Sequence, residues 1–151
     1  KPGIRGMKRI RPFLLGAIRH ADSLITGILT PTELQKLQQP LTDASRRGIQ
    51  LALGLQTTNR VLPFSPLAGW ILCILPHSAE EGSITSSWTF DTALSIRITD
   101  PNEKAVGRTM EDPPFTQQLA MGNLARVQLA LDPLSPEFGR CRRLSDELLI
   151  S

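Results

Sequence analysis

The segment that most restricts the fold is residues 88–99, W-T-F-D-T-A-L-S-I-R-I-T. Trp88, Phe90, Leu94, Ile96 and Ile98 fall on one side of an extended chain, and Thr89, Asp91, Ser95, Arg97 and Thr99 on the other, the period-two pattern of a strand with one buried face. At about 3.3 Å per residue such a strand runs roughly 40 Å, longer than most, so it is expected to bend or bulge at the centre of a sheet. Its apolar face needs cover from the rest of the chain.

That cover is offered in short pieces. A length of 151 residues with 40% hydrophobic content suffices for one core, and twelve prolines and eleven glycines without a period favour short elements joined by turns. After Pro12, the spacing of Leu14, Ile18, Ala21, Ile25 and Ile28 predicts an amphipathic helix ending near Gly27. Thr30-Pro31-Thr32-Glu33 is a second helix start, in which Thr30 caps, Pro31 suits the first position and Glu33 completes a capping box; Pro40 is expected to stop it. Ile49, Leu51, Leu53 and Leu55 alternate like a strand, but the polar lead from Thr42 or Asp43 and the presence of Ala52 lean the segment to helix. Residues 68–75 read as a buried strand and residues 103–112 as a charged run. Val127, Leu129 and Leu131 read as a strand, with helical turns at 116–121 and 145–150. Helices early and strands late predict an α+β fold: a single compact domain over residues 12–151, with two or three helices packed on an antiparallel β-sheet. Residues 1–11 precede it as a basic N-terminal arm or an edge strand.

Charge is unevenly spread. Residues 1–60 carry ten Lys or Arg against three acids, +7, and residues 61–151 carry seven against eleven, −4. Lys1, Arg5, Lys8, Arg9 and Arg11 form a basic stretch with no acid before Asp22, suited to phosphate-bearing surfaces of lipid or nucleic acid. Without Tyr or interleaved aromatics, base stacking is unsupported, which leaves non-specific RNA binding. Val61, Leu62, Pro63, Phe64 and Leu67 make an apolar loop that two prolines keep from regular structure; it is either a buried connection or an exposed contact site. No stretch reaches the roughly 18 apolar residues that crossing a bilayer requires. No secretory signal is present, and Lys1 in place of an initiating Met leaves room for a preceding segment.

Catalytic and metal chemistry find little footing. His20 and His77 have no CxxC, HxxxH or HExxH partner spacing, so both read as structural and no metal or cofactor is expected. Cys73 and Cys141 read as reduced thiols of a cytosolic protein rather than a disulfide framework. There is no Gly-rich phosphate loop and no nucleophile elbow. The expectation is therefore a chain that is not an enzyme.

A basic stretch leading into Arg11-Pro12-Phe13, an amphipathic helix, a helical segment around 49–55, the apolar proline-bearing loop, T-A-L-S-I-R-I-T-D at 92–100 before an acidic run, and A-R-V-Q-L-A-L-D at 125–132 together resemble the matrix proteins of rhabdoviruses. The resemblance spans most of the chain without a diagnostic motif, and the Pro-Pro-x-Tyr budding signal of that family is absent. It implies a structural protein of the virion, lying beneath the envelope and, in the host, in the cytoplasm and on the inner face of the membrane. Such a protein self-associates into a homo-polymer, binds an anionic membrane surface and condenses the viral nucleocapsid or nucleoprotein during budding. Lys1, Arg5, Lys8, Arg9 and Arg11 would make the membrane and nucleocapsid contacts, and Val61, Leu62, Pro63, Phe64 and Leu67 the self-association loop. The alternative is a small RNA-packaging capsid or nucleocapsid-type protein.

Overall fold

A computed structural model describes residues 3–58, 61, 62, 66, 69–75, 85–101 and 104–150. In chain order the elements are β1 (Ile4–Arg5), α1 (Met7–His20), β2 (Leu24–Leu29), α2 (Pro31–Arg46), β3 (Gln50–Leu55), β4 (Trp70–Ile74), β5 (Thr85–Phe90), β6 (Leu94–Thr99), β7 (Val106–Met110), α3 (Pro113–Ala130) and α4 (Pro136–Ile150). The strands form one sheet in the order β1-β7-β6-β5-β2-β3-β4. The expected α+β single domain is what the chain folds into, with four helices instead of two or three. The sheet is mixed, because β2, β3 and β4 run parallel and the remaining pairs antiparallel.

The helices lie on both faces. Ile10, Leu14 and Ile18 of α1 and Leu34, Leu37 and Leu41 of α2 share a core with Ile25, Leu51, Leu53, Trp88, Ile96 and Ile98. Ala120, Leu124 and Val127 of α3 and Cys141, Leu144 and Leu148 of α4 share another with Leu24, Ile28, Ala52, Ile71 and Cys73. Neighbouring strand residues alternate between the two cores, as pleating requires.

Several local expectations are corrected. The long central strand is two strands: Phe90 pairs with Leu94 around a turn at residues 91–93, where Asp91 takes a left-handed φ of 55°. Helix α1 starts at Met7, after Gly6 turns the chain with φ 85°, and ends at His20. Ile25 and Ile28, read as its continuation, lie in β2, where all six residues are buried because helices cover both faces. Pro40 sits inside α2 rather than ending it, since the buried Leu37, Leu41 and Ala44 hold the helix through the missing N–H. Residues 50–55, leaned to helix, are β3. The alternation of Val127 and Leu129 falls inside α3, where Val127 is buried and Leu129 is 84% exposed.

The capping box is as read. Thr30 Oγ1 accepts from the Glu33 N–H at 3.3 Å, and Glu33 Oε1 accepts from the Thr30 N–H at 3.0 Å. Glu33 is 6% exposed and also takes the Ser86 hydroxyl at 2.6 Å, which ties α2 to β5.

Candidate functional site

The basic stretch is divided by the fold. Arg5 lies on β1, while Lys8 and Arg9 are exposed on α1. Arg11 is half-buried beside Glu33 and Lys36, and Lys1 lies outside the described residues. Of the apolar loop, Val61 is 69% exposed and Leu62 is half-buried against the first core. Pro63, Phe64 and Leu67 lie outside the described residues.

Strand register brings together cations that the linear sequence keeps apart. Arg97 of β6 is directly opposite Arg108 of β7, and on its other side opposite Ser87 of β5. Val106, two residues from Arg108 and so on the same face, is opposite both Arg5 and Thr99. Arg5, Arg97 and Arg108 therefore share one face, on the side of the sheet where α3 and α4 pack, and all three are exposed.

The edge of the helical cover is marked by α3. The Asn123 amide donates to Thr26 Oγ1 at 3.1 Å and to the carbonyl and hydroxyl oxygens of Ser87 at 3.4 Å, and Thr26 in turn bonds Thr89 at 2.5 Å. Further out lie the exposed Arg97, on β6 one strand beyond Ser87, and the exposed Arg108, on β7 two strands beyond. Directly opposed side chains have Cβ atoms roughly 5 Å apart, so the two guanidinium groups repel unless an anion lies between them. Among the described residues, neither Arg97 nor Arg108 has a carboxylate within 4.0 Å, and the same is true of Arg5, Lys8 and Arg9. A guanidinium fork can hold a phosphate or carboxylate bidentately. The alternation of residues 88–99 puts Arg97 on the polar side of its strand but gives no sign that Arg108 is its neighbour.

Other polar groups are accounted for by the fold. The Asp91 carboxylate accepts the N–H groups of Asp22 (3.0 Å), Ser23 (2.8 Å) and Leu24 (3.0 Å) and the Ser23 hydroxyl (2.8 Å). Burial alone would raise its pKa, but these hydrogen bonds outweigh burial and hold it below the ordinary carboxylate value. His20 Nδ1 lies 2.7 Å from the Gly16 carbonyl oxygen, and His77 lies outside the described residues. Cys73 and Cys141 are buried thiols, and burial pushes them up to about 12 and about 11. Among the described residues no three His, Cys, Asp or Glu side chains converge as a metal site, and no helix is long and apolar enough to cross a membrane.

No family model and no curated protein sequence matches the chain. Solved structures do match. TrmBL2, described as an archaeal chromatin protein with a novel mode of DNA binding, has a TM-score of 0.66 at 11% identity, over 85% of this chain and 51% of its own. The chain thus spans about half the length of TrmBL2. NucT from Helicobacter pylori has a TM-score of 0.67 at 10% identity, over 83% of this chain and 95% of its own. Nuc from Salmonella typhimurium, a phospholipase D family member, has a TM-score of 0.57 at 12% identity, over 83% of this chain and 94% of its own. None of the three is a rhabdovirus matrix protein.

These likenesses correct the expectation that the chain stands outside the enzymes. It has the fold of a phospholipase D family member, and NucT and Nuc are matched over nearly their whole length. Contiguous motifs do not reveal a site on a sheet, which is gathered from strands distant in sequence.

Proposed function

We propose that the chain holds the phosphate backbone of nucleic acid, without reading base sequence, on the sheet face that presents Arg5, Arg97 and Arg108. The observation that carries this reading is the direct opposition of Arg97 and Arg108 with no carboxylate within 4.0 Å among the described residues. A phosphodiester is a matching anion, and phosphate contacts give affinity without sequence information. The description of TrmBL2 as DNA-binding supports the same ligand class from the side of the fold.

The test is fluorescence anisotropy with two duplex DNAs of unrelated sequence. Both should bind with similar affinity, and Arg97→Ala with Arg108→Ala should weaken both about tenfold, at about 1.4 kcal/mol per tenfold. Running the incubated DNA on a gel reads strand cleavage by the same contact. Failure to bind at low salt, or binding indifferent to both substitutions, contradicts the reading.

A second reading, the matrix role with its attachment to membrane and nucleocapsid, is favoured by the exposed Lys8 and Arg9 on α1 and the exposed Val61. Flotation with anionic vesicles tests it. Capture that is lost on Lys8→Ala with Arg9→Ala, and unchanged on Arg97→Ala, would support it over the DNA reading.

A further inference from the structure

Helix α1 lies behind the arginine row, on the opposite face of the same sheet. Ile10 packs so closely on Gly107 of β7 that a Cβ there would come within 3.0 Å of Ile10 Cγ1. Arg108 is the next residue along the strand and so points to the other face. The core side of α1 is Ile10, Leu14, Ala17 and Ile18. At about 3.6 residues per turn, Lys8, Arg9, Pro12, Phe13, Arg19 and His20 fill the outward arc, and all six are exposed. The helix contains no acid. Among the described residues no carboxylate lies within 4.0 Å of Lys8, Arg9 or Arg19. The acids of the adjoining α2 are engaged: Glu33 is buried and bonded to Thr30 and Ser86, and Asp43 takes the Gln39 amide at 2.9 Å and Arg46 at 3.9 Å. Arg47 adds positive charge at the end of α1, where its guanidinium donates to the carbonyls of Ile18 and Arg19 at 3.0 and 3.2 Å. Against these cations stands the exposed Asp22, just past that end.

We infer that α1 is a second, weaker phosphate-binding surface, so that one molecule holds two stretches of duplex nucleic acid, one on each side, and bridges them. This rests on the reading of the sheet face given above and adds a second site to it. Lys8 and Arg19 lie about 16 Å apart along the helix axis, at about 1.5 Å per residue. That span matches about five steps of a duplex strand at about 3.4 Å each, so the cations of α1 can meet phosphates of one duplex. The two surfaces do not serve a single duplex. The sheet and α1 itself, about 10–12 Å thick with its side chains, lie between them. A duplex, with a persistence length of about 50 nm, does not fold round the sheet edge to reach both. The sheet face is the tighter site, because α1 has no directly opposed pair like Arg97 and Arg108. Of the six outward residues Phe13, 53% exposed, is the single large apolar side chain, which gives a membrane little to bury and favours nucleic acid on this face.

The test is capture of a fluorescent duplex by a second duplex fixed on beads, with the whole chain added. The chain should hold the fluorescent duplex on the beads. Lys8→Ala with Arg9→Ala and Arg19→Ala should cut that capture about tenfold, while anisotropy still shows a single duplex bound to within about twofold of the unaltered chain. Alanine is a strong helix former, so the three exposed changes leave α1 folded. Binding of one duplex without capture of the second overturns the inference and leaves the sheet-face reading standing; no binding at all removes both. Capture that survives the three substitutions means that copies of the chain pair to bridge the duplexes, and overturns it as well. So does flotation with anionic vesicles that needs the same three residues while no second duplex is captured, which gives α1 to lipid.

Discussion

Asp91 shows how one side chain joins elements distant in sequence. Its left-handed turn aims the carboxylate at the segment between α1 and β2, where it accepts four hydrogen bonds. The folded-state pKa lies below the unfolded value of about 3.9, so the stabilisation is complete above that value and is lost as pH falls through the folded pKa. Asn tolerates the same backbone and lacks the charge, so Asp91→Asn should cost about 1–2 kcal/mol near neutral pH, with the deficit shrinking in acid. Urea denaturation at several pH values reads this, and a deficit independent of pH would mean that the charge contributes nothing. Cys73 and Cys141 are a second residue-scale case. Raised to about 12 and about 11 by burial, they should react with a thiol reagent only after the chain is unfolded.

At the scale of elements, what could be read depended on whether the signal was local. Thr30, Pro31 and Glu33 start α2 as their spacing indicates, because a capping box involves only neighbours in sequence. Residues 68–75 likewise contain β4. The end of α2 was not readable, because burial of Leu41 and Ala44 is a tertiary fact that overrides Pro40. That leaves a testable cost: Pro40→Ala should stabilise the protein by up to about 3 kcal/mol, seen as a higher urea midpoint, if the ring strains the helix. The turn at residues 91–93 was hidden for another reason. Asp91, Thr92 and Ala93 lack the Gly that marks most tight hairpins, and Phe90 and Leu94 keep the alternation in phase across the turn. Ile25 and Ile28 fit a helical spacing by coincidence, since a strand buried on both faces has no alternation to show.

For the molecule as a whole, the uneven cover of the sheet matters more than the uneven charge of the sequence. Helices α1 and α2 line one face, whereas on the other face α3 reaches no further than β6, and the β6–β7–β1 end carries three exposed arginines. Arg5 comes from the basic part of the chain, and Arg97 and Arg108 come from the acidic part. Summing charge along the sequence therefore drew attention to Lys8 and Arg9 and away from the pair that strand register creates. The measurement that tests the central claim most directly is the salt dependence of duplex DNA affinity, compared between the unaltered chain and the Arg97→Ala/Arg108→Ala variant. If both arginines hold phosphates, the slope of log affinity against log salt should flatten by about 0.9 for each, roughly 1.8 in all. Two parallel lines would contradict the account.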